Sequence, residues 1–226
     1  MALTANATAG NIYIQNASST NGNIAVSSAS AGSNGSTISI ASGSGGITLN
    51  TIGAVSFASS GNGGNLTLNA GTGTLTIPTG TLSVNGASGN NNGGSIALTG
   101  NALSITGGAL TLTANATGTG NGGSVSVTTT GSGNGITLGH FSGNIASIQA
   151  EGGSSGSASG NGGSVTVSSA GSLLIPNTVN IINVAPQGTN GNGGSINLTA
   201  GSAGAANLQI NEGLSVNGVV RAMVAF

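Results

Sequence analysis

The stretch NGGSIALTGNALSITGGALTLTAN, residues 92–115, holds three short runs in which aliphatic residues alternate with small polar ones: Ile96/Leu98, Leu103/Ile105 and Leu110/Leu112. Alternation with period two, bounded by Gly and Asn, is the pattern of strands that bury one face. The opening phrase recurs as NGGNLTL from Asn62, NGGSVSV from Asn121, NGGSVTV from Asn161 and NGGSINL from Asn192, with NGSTISI from Asn34 a weaker copy. Successive copies start 28, 30, 29, 40 and 31 residues apart. The copy before residue 92 carries Leu66/Leu68, Leu75/Ile77 and Leu82/Val84; the copy after it carries Val125/Val127, Ile136/Leu138 and a looser Ile145/Ile148.

A coil of three strands cannot bury its own aliphatic residues, but stacking the next coil at roughly 4.8 Å pairs the backbone and closes the interior. The reading is therefore all-β: a right-handed parallel β-helix, or β-solenoid, of about seven coils of about 30 residues with three short strands each. One domain is expected over residues 1–226, with an N-terminal coil at 1–33, regular NGGS repeats at 34–201 and a C-terminal coil, cap or assembly segment at 202–226. Ile38, Leu66, Ile96, Val125, Val165 and Ile196 form a predicted core ladder. Ile40, Leu68, Leu98, Val127, Val167 and Leu198 form its neighbour, with small residues between them facing outward. Asn62, Asn92, Asn121, Asn161 and Asn192 form a predicted turn ladder. Asn tolerates left-handed backbone and Gly adopts it freely, and stacked amides can bond side chain to side chain. Pro78 and Pro176 follow aliphatic pairs and are expected to end strands at corners. The 40-residue interval places an extended corner loop at Ala150–Gly160, and NVAPQGTNG from Asn183 reads as a second loop.

Composition limits the function. Glu151, Glu212 and Arg221 are the three charged residues in 226, 45 residues are Gly, and there is no Cys. One arginine cannot neutralise a run of phosphates, so nucleic acid is not an expected partner. No polybasic patch or apolar span points to a membrane. Disorder is disfavoured because 36% of the chain is hydrophobic and the net charge is only −1. The near-neutral surface favours self-association. Met1-Ala-Leu-Thr lacks the form of a signal peptide, so a secreted protein is expected to have its targeting segment outside this sequence.

NGGSINLTAG, residues 192–201, and GNGGNLTLNAG, residues 61–71, resemble the repeats of bacterial filamentous-haemagglutinin-like exoproteins. The resemblance covers roughly Asn34 to Gly201. It implies a right-handed parallel β-helix, extracellular or cell-surface placement, and a part in adhesion, biofilm matrix or fibre building. It supplies no catalytic residues. The family's secretion domain is not seen at the start of this chain, and its members are commonly much longer.

Chemistry finds few candidates. Glu151 and Glu212 fall about two coils apart at different corners, which does not suit paired-carboxylate hydrolysis. His140, beside Phe141 in GHFSGN, reads as a solvent-facing turn residue next to a packed ring. Glu212 and Arg221 suggest a surface pair near the end. The Gly-Asn-Gly-Gly wording resembles calcium-binding nonapeptides, yet every Asp is missing, so no metal and no cofactor is expected. No enzyme is expected. What remains is an extracellular structural protein, a self-associating filament subunit that polymerises head to tail. The alternatives are an adhesin stalk, and an ice-binding protein whose second face would carry Thr48, Thr76, Ser104 and Thr137.

Overall fold

The alternating runs become strands because each buries every second side chain while its backbone pairs with the copies before and after it. The computed structural model describes residues 2–16, 22–58, 60–155, 158–176, 181–211, 214–216 and 219–224, with backbone alone for 219–222 and 224. The protein is all-β with parallel sheets, an arrangement compatible with a β-solenoid. Its helical content among the described residues is one 3-10 turn at Ile52–Ala54.

The largest regular sheet has eight parallel strands: Ile12–Asn16, Thr37–Ser42, Asn65–Asn69, Ser95–Gly100, Ser124–Thr129, Ser164–Ser169, Ser195–Ala200 and Val219–Val224. Six of them begin just after an NGG phrase or its weaker copy, and we call it the NGGS sheet. Its register is unbroken: Ile12, Ile38, Leu66, Ile96, Val125, Val165, Ile196 and Val220 are successive Cα partners. From Ile38 to Ile196 every member is at most 1% exposed. The column from Ile40 to Leu198 is equally buried. Each such side chain contributes about 1.5–3 kcal/mol relative to an exposed one, so these columns hold the stack. A third inward column stands where each strand turns away: Ser42, Ala70, Gly100, Thr129, Ser169 and Ala200, all buried. Small residues there let the chain bend without an aliphatic side chain in the corner. The hydroxyls are satisfied locally, as in Thr129 Oγ1 donating to Asn134 O at 2.8 Å.

The second eight-stranded sheet carries the other two aliphatic pairs. Its strands Thr74–Ser83 and Ala102–Thr113 each run past a corner, with Leu103 on Leu75, Ile105 on Ile77 and Leu112 on Leu82. Contrary to the expectation from the sequence, Pro78 does not end its strand. It pairs with Thr106, and the register then shifts so that Leu110 meets Gly80. The bend is made by residues between those pairs, and Pro78 sits inside a continuous strand. Pro176 does follow its strand, Leu173–Ile175. The looseness of Ile145/Ile148 has a cause: the register shifts between Leu110 and Thr111, so Ile145 and Ile148 meet Leu110 and Leu112 across a bulge.

One face breaks. Beyond Ala102–Thr113 the strands Ile136–Thr137, Leu173–Ile175 and Leu208–Ile210 form a separate three-stranded sheet. Leu103 and Ile105 are left only partly buried, although Leu75 and Ile77 one copy earlier are 1% and 0% exposed. A slot of about 40 Å³ opens between Leu103, Ile105, Ile136 and Ile145. Within the extra residues at 150–160, expected as an extended corner loop, Ser154–Ser155 pairs antiparallel with Ala158–Ser159. The 183–191 loop stacks on it through Gln187 N–H to Gly152 O at 3.0 Å and Asn190 N–H to Ser159 Oγ at 3.0 Å.

Candidate functional site: an asparagine and glycine corner

The corner before the NGGS sheet is where the repeat phrase acts. Each asparagine donates its backbone N–H to the side-chain Oδ1 of the asparagine one copy earlier. The distances are 2.7 Å for Asn62 on Asn34, 2.9 Å for Asn92 on Asn62, 2.7 Å for Asn121 on Asn92, 2.9 Å for Asn161 on Asn121 and 2.9 Å for Asn192 on Asn161. In return, the following glycine of the earlier copy donates to the asparagine carbonyl, as in Gly93 N–H to Asn121 O at 3.0 Å and Gly122 N–H to Asn161 O at 2.8 Å. The sequence suggested amide-to-amide bonding along this rank. The observed bonds run from backbone to side chain, because the ladder would otherwise leave a corner N–H without an acceptor.

The glycines are required for a reason other than the one expected. None of Gly63, Gly93, Gly94, Gly122, Gly123, Gly162 or Gly163 has a positive φ. Their constraint is contact. A Cβ on Gly93 would stand 1.9 Å from Ala114 O, and one on Gly123 would stand 1.9 Å from Gly94 O. The chain packs backbone on backbone here. The glycines line an open groove of about 820 Å³ together with Asn62, Asn92, Ser95 and Ser124. No titratable side chain lines it, so it offers amide and hydroxyl groups and no acid, base or nucleophile activator.

A second rank, not read from the sequence, lies where the chain leaves the third aliphatic pair. Asn115 N–H donates to Asn85 Oδ1 at 2.7 Å, and Glu151 N–H donates to Asn115 Oδ1 at 2.9 Å. The signal was present: Asn85, Asn115 and Glu151 each follow the last inward residue of a copy, Val84, Ala114 and Ala150. Glu151 thus takes a position held by asparagine in the two copies before it. Its Oε1 accepts a hydrogen bond from Asn183 Nδ2. Burial, the largest influence, pushes its carboxyl above the ordinary 4.5, and hydrogen bonds from Asn183 and Gln187 offset part of that rise.

The sign of the pH response follows. A carboxyl whose folded pKa is raised favours the protonated form, so its contribution is complete below the unfolded value and is lost as pH rises through the folded one. The thermal midpoint is expected to be higher near pH 4 than near pH 7, and Glu151→Gln is expected to remove most of that difference. Equal pH responses in melting curves of the two proteins would show that Glu151 is not responsible.

The other candidates stay apart. His140 is exposed, and Phe141 at 65% exposure is not the packed ring expected beside it. Glu212 lies outside the described residues, so its suggested pairing with Arg221 does too. Among the described residues, no three of His, Cys, Asp and Glu gather closely enough to hold a metal ion, and no helix is long and apolar enough to cross a membrane. No protein-family model, curated protein or solved structure matches the chain.

Proposed function

We propose that this chain is a structural building block of an extracellular or cell-surface β-solenoid fibre, related in kind to filamentous-haemagglutinin-like repeats, and that it performs no catalysis. On this reading it is a right-handed solenoid of about seven coils whose partner is another copy of itself. One observation carries the proposal. The NGGS register runs without a slip from Ile12 to Val220, and the strands at its two extremes, Ile12–Asn16 and Val219–Val224, each pair on one side only among the described residues. Each extreme strand therefore offers the same parallel edge that every internal strand uses. A heterologous contact of this kind does not close on itself and builds a filament. The adhesin-stalk alternative uses the same rod without polymerising. The ice-binding alternative loses support, since Thr48, Thr76 and Ser104 align but Thr137 pairs with Leu174 and not with Ser104.

The test is negative-stain electron microscopy of the purified chain over a concentration series at low and high salt. Filaments that lengthen with concentration and persist in salt are expected, because the joint depends on backbone pairing and apolar burial rather than charge. Isolated short rods at every concentration would sink the fibre reading and leave the stalk.

A further inference from the structure

Three large hydrophobic side chains are exposed in the described chain: Tyr13 at 69%, Phe141 at 65% and Met223 at 64%. Two of them stand on the outermost strands of the NGGS sheet, one at each end. Both lie on its outer face, at positions elsewhere filled by small or polar residues. Tyr13 heads the column Ser39, Thr67, Ala97, Ser126, Thr166, Asn197, which ends at the Arg221 position. Met223 pairs with Thr199, in the next outward column, which begins at Gln15.

Resting on the fibre reading, we propose a specific joint: Ile12–Asn16 of one copy adds to Val219–Val224 of another in the register used throughout the sheet. Ile12 then follows Val220, Tyr13 stands opposite Arg221, Ile14 follows Ala222 and Gln15 stands opposite Met223. Tyr13 and Met223 become diagonal neighbours on one face, so an aromatic ring and a thioether meet at the seam.

The phase of the strands fits this joint. At the C-terminal end the order is Ser195–Ala200 on the NGGS sheet, Leu208–Ile210 on the three-stranded sheet, Ser215 bridged to Asn183, and then Val219–Val224 on the NGGS sheet again. At the N-terminal end Ala2–Ala7 lies on the second sheet and is followed by Ile12–Asn16 on the NGGS sheet. A second copy therefore supplies the strand that comes next in rotation, with no face repeated. The partly buried apolar residues at the two ends also match in kind: Leu3, Ala5, Ala7 and Ile14 at one, Leu208, Ile210, Leu214 and Val216 at the other.

The absence of cysteine makes the register directly readable. In-register neighbours in adjacent strands sit about 4.8 Å apart, within reach of a disulfide. Tyr13→Cys/Arg221→Cys, oxidised during assembly, is expected to give a ladder of covalent dimers, trimers and longer species on a non-reducing gel. The shifted pair Gln15→Cys/Arg221→Cys is expected to give at least roughly tenfold less, and Ser39→Cys/Thr67→Cys calibrates the intramolecular efficiency. Filaments that link equally through the shifted pair, or only through it, would overturn the joint and leave the fibre reading standing. An unsubstituted chain that forms no filaments would remove both. As a readout without cysteine, Tyr13→Ser is expected to raise the concentration for half-assembly roughly three- to tenfold; an unchanged value would overturn the seam.

Discussion

Gly93→Ala is expected to abolish the fold or destabilise it by more than about 4 kcal/mol, far beyond the range of an ordinary alanine substitution. The added methyl would stand 1.9 Å from Ala114 O, 2.6 Å from Ala114 C and 2.7 Å from Gly123 N. All three are backbone atoms of paired segments, so no rotamer change relieves the clash. Relief requires the rungs to separate, which breaks Gly93 N–H to Asn121 O and Gly94 N–H to Val84 O together. Those two bonds are part of what closes the corner, and buried backbone groups left unpaired cost about 1–3 kcal/mol each. Two controls separate this mechanism from a general intolerance. Gly53→Ala places a methyl in open space at a residue without positive φ, and is expected to change stability by less than about 0.5 kcal/mol. Asn92→Ala removes only the acceptor for Asn121 N–H and is expected to cost about 1 kcal/mol. Denaturant midpoints measure all three. Gly93→Ala within about 1 kcal/mol of the parent would mean that the corner yields, and that the repeated glycines answer to something other than close approach.

That distinction marks where the sequence could be read and where it could not. The columns of Ile38 and Ile40 were legible because burial of alternate side chains leaves a direct trace: the period of two, at a fixed distance from a repeated phrase. The same phrase located the asparagine rank, since Asn62 to Asn192 stand at one place in each copy. The bonding within the rank was not legible. An asparagine that accepts a backbone N–H and one that bonds a neighbouring amide have the same spacing. The glycine constraint was hidden in the same way, because positive φ and backbone contact both select glycine. Pro78 was misread for want of the corner geometry: in a strand that bends while still paired, proline marks the bend rather than the end. The break at Leu103 and Ile105 left no trace at all. Ile136/Leu138 continues the alternation, and only the longer segments 130–135 and 139–144 around it show, once placed, that the strand has moved aside.

That break carries the second large effect, which is that the chain is expected to unfold in two steps. In a stack, stability is a sum of terms within copies and between neighbours. Elsewhere in the N-terminal part neighbouring copies pair across both large sheets, including Thr74–Ile77 on Ala102–Ile105. Between Ala102–Thr106 and Ile136–Thr137 one face contributes no pairing, and Leu103 and Ile105 lose part of the burial that Leu75 and Ile77 have. The strand pairing that remains is Ser95–Gly100 to Ser124–Thr129 and 110–113 to Ile145–Gln149, the latter across a bulge, beside the corner bonds such as Asn121 N–H to Asn92 Oδ1. The strands beyond it on the broken face are short, two residues at Ile136–Thr137 and three at Leu173–Ile175. The part after the break is therefore expected to melt first. Tyr13 is the only tyrosine and there is no tryptophan, so its fluorescence reports the N-terminal part alone. Phe141→Trp, at an exposed site, reports the C-terminal part. The tryptophan signal is expected to change at lower denaturant than the tyrosine signal, and the parent chain is expected to show faster amide exchange after residue 130 than across residues 37–100. Superimposable transitions and uniform protection would mean that two sheets are enough to carry cooperativity past the gap, and that the missing pairing is absorbed within a single folding unit.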